Sequence, residues 1–127
     1  MSDSNRGELA IQTLAMPAHT NANGDIFGGW LVSQMDLAAG VIAKQHSRGR
    51  VVTIGIEKMS FQEPVHVGDL VCCYGFITKT GNTSMTIQVD TWCIHPVTGT
   101  ERKVTAGTFT FVAVDDHGRK RSLPVSS

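Results

Sequence analysis

The sequence predicts an α+β domain in which one long helix packs against an antiparallel sheet. One amphipathic segment has helical periodicity, and the runs after it alternate apolar and polar residues between turns rich in Gly, Asn and Pro. A chain of 127 residues is long enough for one such domain and too short for two. Because a single helix cannot cover both faces of the sheet, we expect the chain to self-associate.

The residues before the helix predict a strand and a loop. Residues 1–7 are polar and are expected to be flexible, whereas Glu8–Met16 is a short apolar run typical of a first strand. Pro17–Asp25 is dense in Pro, Asn and Gly and is therefore a loop.

A helix is predicted from about Gly28 to Ser47, with a length of about 30 Å at 1.5 Å per residue. Its apolar stripe has spacings of three and four residues and consists of Leu31, Met35, Ala38, Ala39 and Ile42. We expect Gly49 to end the helix.

Four further strands are predicted, at Arg50–Phe61, Asp69–Lys79, Ser84–Ile94 and Arg102–Val114. Strands of this length twist and curl, so the simplest packing wraps the sheet around the helix. The predicted domain thus spans residues 8–115, and residues 116–127 form a basic tail.

Composition excludes several functional classes. Eleven basic and eleven acidic residues give a net charge of zero, so the chain lacks the basic footprint of a nucleic-acid-binding domain. Apolar runs are too short for a membrane helix, and the N-terminus lacks the apolar centre of a signal peptide. We therefore expect a cytoplasmic protein. Its three cysteines are expected to be small buried residues, because neither they nor the histidines have zinc-site spacing.

The densest candidate site is the loop that leads into the helix. Gly28 and Gly29 would leave the first backbone N–H groups of the helix open to a ligand, either a phosphate or a carbonyl oxygen that gains negative charge. These glycines could also serve only a tight loop and close packing. Asn21 in the same loop can hold a water molecule or polarise a carbonyl, or can simply make a turn.

Asp36 is the candidate general base. At 100° per residue it falls on the edge of the apolar stripe, near Gly29 and Gly40. Reduced hydration there would suit a group that takes a proton from water, although a helix-edge Asp can also be a merely structural or solvated residue. Among the histidines, His19 is the one candidate, because it lies two residues before Asn21.

Several motifs together resemble the YciA-type acyl-CoA thioesterases. They are Thr13–Pro17, the run Asn21–Trp30, Ser33–Asp36, Gly49–Thr53, Pro64–Asp69, Val71–Tyr74 and Phe111–Asp115. The similarity spans about residues 10–125, and the run from Asn21 to Asp36 is its most specific part. The sequence departs from the family at His19, where an acidic residue is common, and this bears on specificity more than on chemistry.

The resemblance implies a hotdog fold, hydrolysis of acyl-CoA to a free acid and CoA, and a tight dimer, commonly assembled into a trimer of dimers. It places the catalytic carboxylate on Asp36 and the partner amide on Asn21, facing each other across the dimer interface. The reaction would need neither metal nor cofactor, since a thiolate leaves readily. Asp36 would act as general base or as nucleophile, with the Gly28 and Gly29 amides holding the oxyanion.

CoA phosphates require cations. We expect them from the tail, at Arg119 and Arg121, and from the turn that carries Lys79, Thr83 and Ser84. The alternative for the tail is a solvated segment that only aids solubility. Two alternative functions also remain, a hydratase-dehydratase acting on enoyl thioesters, which would need His19, and a non-catalytic acyl-CoA-binding module. Release of free CoA would distinguish hydrolysis from both.

Overall fold

The computed structural model describes residues 6–125. Strand β1 is Glu8–Leu14, and a 3-10 turn, Pro17–His19, leads towards helix α1 at Gly28–Ser47. Four long strands follow: β2 at Val51–Phe61, β3 at Leu70–Thr80, β4 at Ser84–Ile94 and β5 at Glu101–Ala113. They form one antiparallel sheet in the order β1-β3-β4-β5-β2, which leaves β1 and β2 at its edges.

Two irregularities curve strand β2 at the edge of the sheet. Its pairing with β5 shifts between Thr53 and Gly55, and again between Glu57 and Ser60. Within the second irregularity Lys58 has a φ of 56°, and Met59 packs against the core. Bulges of this kind bend a strand and increase its twist, so β2 curls with the rest of the sheet around α1.

The sheet and helix enclose an apolar core, because α1 contacts all five strands. The larger part of the core lies under the middle of the helix and comprises Met35, Ala38, Ala39, Ile42, Ala43, Cys73, Met85, Ile87, Val89, Phe109 and Phe111. A second cluster lies under the start of the helix and contains Trp30 and Leu31. The predicted stripe of the helix is therefore its buried face, and the α+β prediction is confirmed.

The end of the helix differs from the prediction in one detail. Arg48, not Gly49, takes the left-handed conformation that ends the helix, with a φ of 59°. Gly49 has another role, since a Cβ there would lie 2.5 Å from Nη2 of Arg121. The glycine therefore leaves room for a side chain of the tail to reach the helix end.

Both chain ends dock on the domain where the structure describes them. Arg6 was expected to be flexible, but it is buried, with its guanidinium 3.8 Å from the Trp92 ring centre and an ion pair to Glu101. Residues 1–5 lie outside the described residues. In the tail, the backbone N–H of Leu123 donates to the carbonyl of Asn82, so the tail folds back onto the β3–β4 turn.

An apolar surface borders the unpaired edge of β2, and we call it the β2 edge surface. Its largest exposed fractions are 60% at Ile54 and 56% at Leu37 of the neighbouring helix. The other members are Val41, Val52, Ile56 and Phe61. Within the described residues, no helix has the combination of length and apolar character needed to cross a bilayer.

Candidate active site

Asp36 lies on α1 beside an open groove of about 380 Å³. The wall of this Asp36 groove is formed by Asp36, Leu37, Gly40, Val41, Lys44, Val51, Thr53 and Phe111. The carboxylate is half-buried, and its Oδ1 accepts a hydrogen bond of 2.8 Å from the Thr53 hydroxyl of β2. This bond fixes the position of Oδ1, and the orientation of Oδ2 follows because the carboxylate is rigid.

The groove follows one face of the helix towards a cation. Asp36, Gly40 and Lys44 are spaced by four residues, so they lie above one another on the same face. Sequence reasoning missed both Lys44 and Thr53 as site residues. The four-residue spacing from Asp36 is a signal that points to Lys44, whereas Thr53 comes near Asp36 only through the pairing of β2 in the sheet.

Asn21 braces the loop before the helix. Its Oδ1 accepts hydrogen bonds from the backbone N–H groups of Asn23, at 2.9 Å, and Asp25, at 3.1 Å. Its own backbone N–H donates to the carbonyl of Asp25. The side chain is exposed, and within residues 6–125 its Nδ2 has no hydrogen-bond partner. The turn thus orients the amide and leaves its N–H donors available.

The first turn of α1 also offers N–H donors that have no acceptor within residues 6–125. Its N-cap, Phe27, gives no side-chain hydrogen bond, and no acidic residue lies in the turn. The backbone N–H of Trp30 donates to the carbonyl of Phe27, but within the described residues those of Gly28 and Gly29 have no acceptor. Free N–H groups at the positive end of a helix dipole suit an oxygen that carries negative charge.

A second open groove begins at Gly28. This Phe61 groove also has a volume of about 380 Å³ and is lined by Ile26, Gly28, Leu31, Phe61, Gln62, Glu63, Pro64 and Val65. Its wall is mainly apolar, and it shares no residue with the Asp36 groove.

One chain does not bring the two halves of the predicted site together. Eight residues separate Gly28 from Asp36, which places them about 12 Å apart along the helix axis. Neither Asn21 nor Gly29 lines the Asp36 groove. A carbonyl held by the Gly28 amide would therefore lie beyond the reach of Asp36 in the same chain.

The predicted CoA-binding residues belong to two segments that contact each other, the β3–β4 turn and the tail. The carbonyl of Thr83 accepts a hydrogen bond from Ala113, so the turn with Lys79 and Ser84 lies beside the start of the tail. Arg119 in the tail is exposed.

Arg121 differs from its neighbour because its guanidinium is engaged. It donates to the carbonyls of Val114, Ser47 and Arg50 at 2.8, 2.9 and 3.1 Å, and to the Ser47 hydroxyl at 3.2 Å. The side chain therefore caps the end of α1 and has little capacity left for a phosphate.

His19 is also engaged within the loop. Its Nδ1 accepts a hydrogen bond from the backbone N–H of Met16, and its ring stacks on Trp30 with 4.5 Å between centroids. These contacts brace the loop that carries Asn21. Among residues 6–125, no three His, Cys, Asp or Glu side chains gather as a metal site would require.

The three cysteines, Cys72, Cys73 and Cys93, are buried and unpaired. Burial raises the pKa of the Cys73 thiol to about 11, although a hydrogen bond with Thr91 opposes the change. Burial and the nearby charge of Asp69 raise the pKa of Cys93 to about 12. Such thiols are protonated at neutral pH and are not nucleophiles.

Comparison with known proteins shows the family of the chain. Residues 23–100 match the family model of the Thioesterase superfamily. The acyl-CoA thioester hydrolase YciA of Salmonella typhimurium is 50% identical over 129 residues, covering 98% of this chain and 96% of that protein. YciA of Escherichia coli is 50% identical over 124 residues, covering 94% and 93%.

Two solved structures extend the similarity to the fold. A hexameric thioesterase from Yersinia pestis is 53% identical with a TM-score of 0.90, covering 94% of this chain and 98% of that one. A hexameric broad-specificity acyl-coenzyme A thioesterase, solved as an aspartate-to-alanine mutant, is 50% identical with a TM-score of 0.91, covering 93% and 87%. With its long helix held by a curved five-stranded sheet, the chain belongs to the YciA-type acyl-CoA thioesterases of the hotdog-fold thioesterase superfamily.

Proposed function

We propose that this chain hydrolyses acyl-CoA thioesters at a site built by two copies, with Asp36 from one copy and Asn21, Gly28 and Gly29 from the other. The observation that carries the proposal is the Asp36 carboxylate, held by Thr53 in an open groove beside the β2 edge surface. One chain supplies a base without an oxyanion site next to it, because its own Gly28 amide lies about 12 Å away along the helix axis.

The β2 edge surface supports the two-copy arrangement. An unpaired strand bordered by exposed apolar side chains favours pairing with another strand. If two β2 strands pair antiparallel about a two-fold axis near Ile56, the Thr53 end of one lies beside the Phe61 end of the other. The Asp36 groove of one copy then meets the Phe61 groove of its neighbour, and the two half-sites become one.

In the proposed reaction the Asp36 carboxylate takes a proton from a water molecule, and the water oxygen attacks the thioester carbonyl carbon. The carbonyl electrons move to its oxygen, which the Gly28 and Gly29 N–H groups stabilise by hydrogen bonds. The free Nδ2 of Asn21 orients the water or the carbonyl. Collapse of the intermediate breaks the carbon–sulfur bond and releases CoA thiolate, which takes the proton from Asp36.

The CoA moiety is proposed to follow the Asp36 groove towards Lys44. That direction leads to the end of the helix, where the tail and the β3–β4 turn add Arg119 and Lys79. Thr83 and Ser84 of the turn supply further polar contacts. Because Arg121 is engaged at Ser47, we assign its part in CoA binding to holding the tail in place.

We further propose a cytoplasmic protein that assembles as a trimer of dimers. The free thiols of Cys72, Cys73 and Cys93 support a reducing compartment. The similar structures described as hexameric support the higher assembly.

The test measures CoA release from hexanoyl-CoA with a thiol-reactive dye. Asp36→Asn should lower kcat by about 10² to 10⁴ while the circular dichroism spectrum stays unchanged. Near-normal turnover in that variant would remove Asp36 from the mechanism. After a single turnover in H₂¹⁸O, label in the Asp36 carboxylate would show that Asp36 acts as the nucleophile through an anhydride opened at its own carbonyl, since a general base gains no label.

Complementation tests the shared site. Asp36→Asn and Asn21→Ala copies, each nearly inactive alone, are co-expressed with different tags. Random pairing makes half of the dimers mixed, and one of the two sites in each mixed dimer is intact, so about a quarter of normal activity should return. No recovery in purified mixed dimers would place both residues in one chain's site.

A further inference from the structure

We propose that the Phe61 groove receives the acyl group of the substrate and that Glu63 at its rim selects against acyl groups that end in a carboxylate. This inference rests on the proposed function, because it starts from a thioester carbonyl held at the Gly28 amide. It adds a specificity-determining residue that the reaction itself does not require.

Gly28 places the Phe61 groove next to the proposed oxyanion site. The glycine both offers a free N–H group and lines the groove, so a carbonyl bound there has one substituent facing the groove. The thioester sulfur and CoA lie towards Asp36 of the neighbouring copy. The remaining substituent is the acyl chain, and the apolar side chains of Ile26, Leu31 and Val65 suit it.

The space has no obstruction at its entrance. A Cβ added at Gly28 would lie 3.4 Å from the Phe61 ring, so a larger residue would close the gap between the helix start and that ring. Phe61 is 55% exposed in the single chain, and in the proposed dimer it lies where this groove meets the Asp36 groove of the neighbouring copy. The entrance therefore admits an apolar chain next to the amide that holds its carbonyl.

Charge at the rim of the groove is negative. Arg102 lies between two carboxylates, at 2.8 Å from Asp69 Oδ2 and 3.4 Å from Glu63 Oε1. One cation shared between two anions leaves one net negative charge. Asp69 also accepts the backbone N–H of His66 and is buried, so the carboxylate exposed to the groove is that of Glu63.

The Arg102 guanidinium is held by its ion pairs with these two carboxylates. Burial alone would lower its pKa, but the hydrogen bond and negative charge of Asp69 outweigh burial and raise it. Its Nη2 also donates to the carbonyl of Pro64 at 2.9 Å. The guanidinium is thus held at the rim and is not free to bind a substrate carboxylate.

An acyl chain that ends in a methyl group meets no penalty here, whereas one that ends in a carboxylate brings a second negative charge close to Glu63. At separations of 5–8 Å and the effective dielectric of a protein surface, that repulsion is large enough to change kcat/KM by about tenfold. The proposed selectivity is therefore for uncharged acyl groups.

The test compares hexanoyl-CoA with adipoyl-CoA, two six-carbon thioesters that differ in the terminal carboxylate. The native chain should favour hexanoyl-CoA in kcat/KM by at least about tenfold. Glu63→Gln should reduce this preference by about 3- to 10-fold, and Glu63→Lys should reduce it further. Raising the salt concentration should weaken the native preference, since ions screen an exposed charge.

Glu8→Gln is the matched control, because it removes an exposed carboxylate from β1 at the opposite edge of the sheet. It should leave the preference unchanged. An unchanged preference in both Glu63 variants, with hexanoyl-CoA hydrolysis intact, would overturn the role of Glu63. Failure of the native chain to release CoA from hexanoyl-CoA would instead overturn the proposed function and this inference with it.

Discussion

The Thr53 hydroxyl on β2 donates a 2.8 Å hydrogen bond to Oδ1 of Asp36 on α1, and so ties the candidate base to the edge strand of the sheet. The two residues are 17 positions apart in sequence and meet only because β2 packs beside the helix. One carboxylate oxygen is therefore held by the protein, and the orientation of the other follows from it.

Removing the Thr53 hydroxyl should slow catalysis without unfolding the chain. Thr53→Val keeps the size of the side chain, but it frees Asp36 to rotate, so we expect kcat to fall about tenfold with KM little changed. Thr53→Ser retains the donor and should restore most of kcat. Steady-state kinetics on hexanoyl-CoA measure both values, and equal rates for the Val and native chains would show that the bond does not position Asp36.

Arg119 and Arg121 should respond differently to substitution, although both belong to the basic tail. Arg121→Ala removes four hydrogen bonds at the end of α1 and leaves the buried Ser47 hydroxyl with one partner fewer. We expect the free energy of unfolding to fall by about 2 kcal/mol.

Arg119→Ala removes an exposed side chain and should raise KM several-fold, with the melting temperature unchanged. Thermal denaturation and steady-state kinetics on both variants measure the difference. A large rise in KM for Arg121→Ala at unchanged stability would return that residue to the CoA site.

The buried thiols should resist alkylation in the native chain. With pKa values of about 11 and 12, Cys73 and Cys93 are almost wholly protonated at pH 8, at about one thiolate in a thousand or fewer. Iodoacetamide should therefore leave both unmodified and activity intact, whereas in guanidinium chloride all cysteines should react. Rapid native modification of Cys73, detected by mass spectrometry, would contradict its burial.

The same thiols give a pH dependence of stability. Their pKa values in the folded chain exceed the ordinary value of 9.0, so the folded state favours the protonated form. Their contribution to stability is fully present below pH 9 and is lost as the pH rises through 11 and 12. Denaturant titrations at pH 8 and 10 should show the lower midpoint at pH 10.

The sequence was sufficient to predict the helix and the class of fold, because both follow from local periodicity. The spacing of Leu31, Met35 and Ile42 determines which face of α1 is buried, whatever the sheet topology. Pairing of β2 beside β5, with β1 at the far edge, depends on contacts between distant residues, and no local pattern encodes it.

Some site residues are revealed by local sequence features, whereas others gain their role only from contacts between distant residues. Asp36 and Gly28 stand out because an acidic residue on a stripe edge and glycines at a helix start are local features. The role of Arg121 could not be predicted, since it depends on the tail folding back onto Ser47 from 74 positions away. The role of Thr53 could not be predicted either, because its hydroxyl reaches Asp36 only when β2 packs beside the helix in this register.

The β2 edge surface provides the most direct test of how two copies meet. Ile54→Lys places a charge on the residue with the largest exposed fraction in that surface, 60%, where a single chain can solvate it easily. The isolated chain should therefore still fold, but two β2 edges facing each other would bring the new charges together. Light scattering should show a smaller assembly, and kcat/KM should fall at least about tenfold, because Asp36 would lose the oxyanion site of its neighbour.

Val97→Lys is the control, since Val97 is also an exposed apolar residue but lies in the β4–β5 turn, away from β2. If Ile54→Lys left both the mass and the activity unchanged while Val97→Lys did the same, β2 would not be the strand through which two copies build the site.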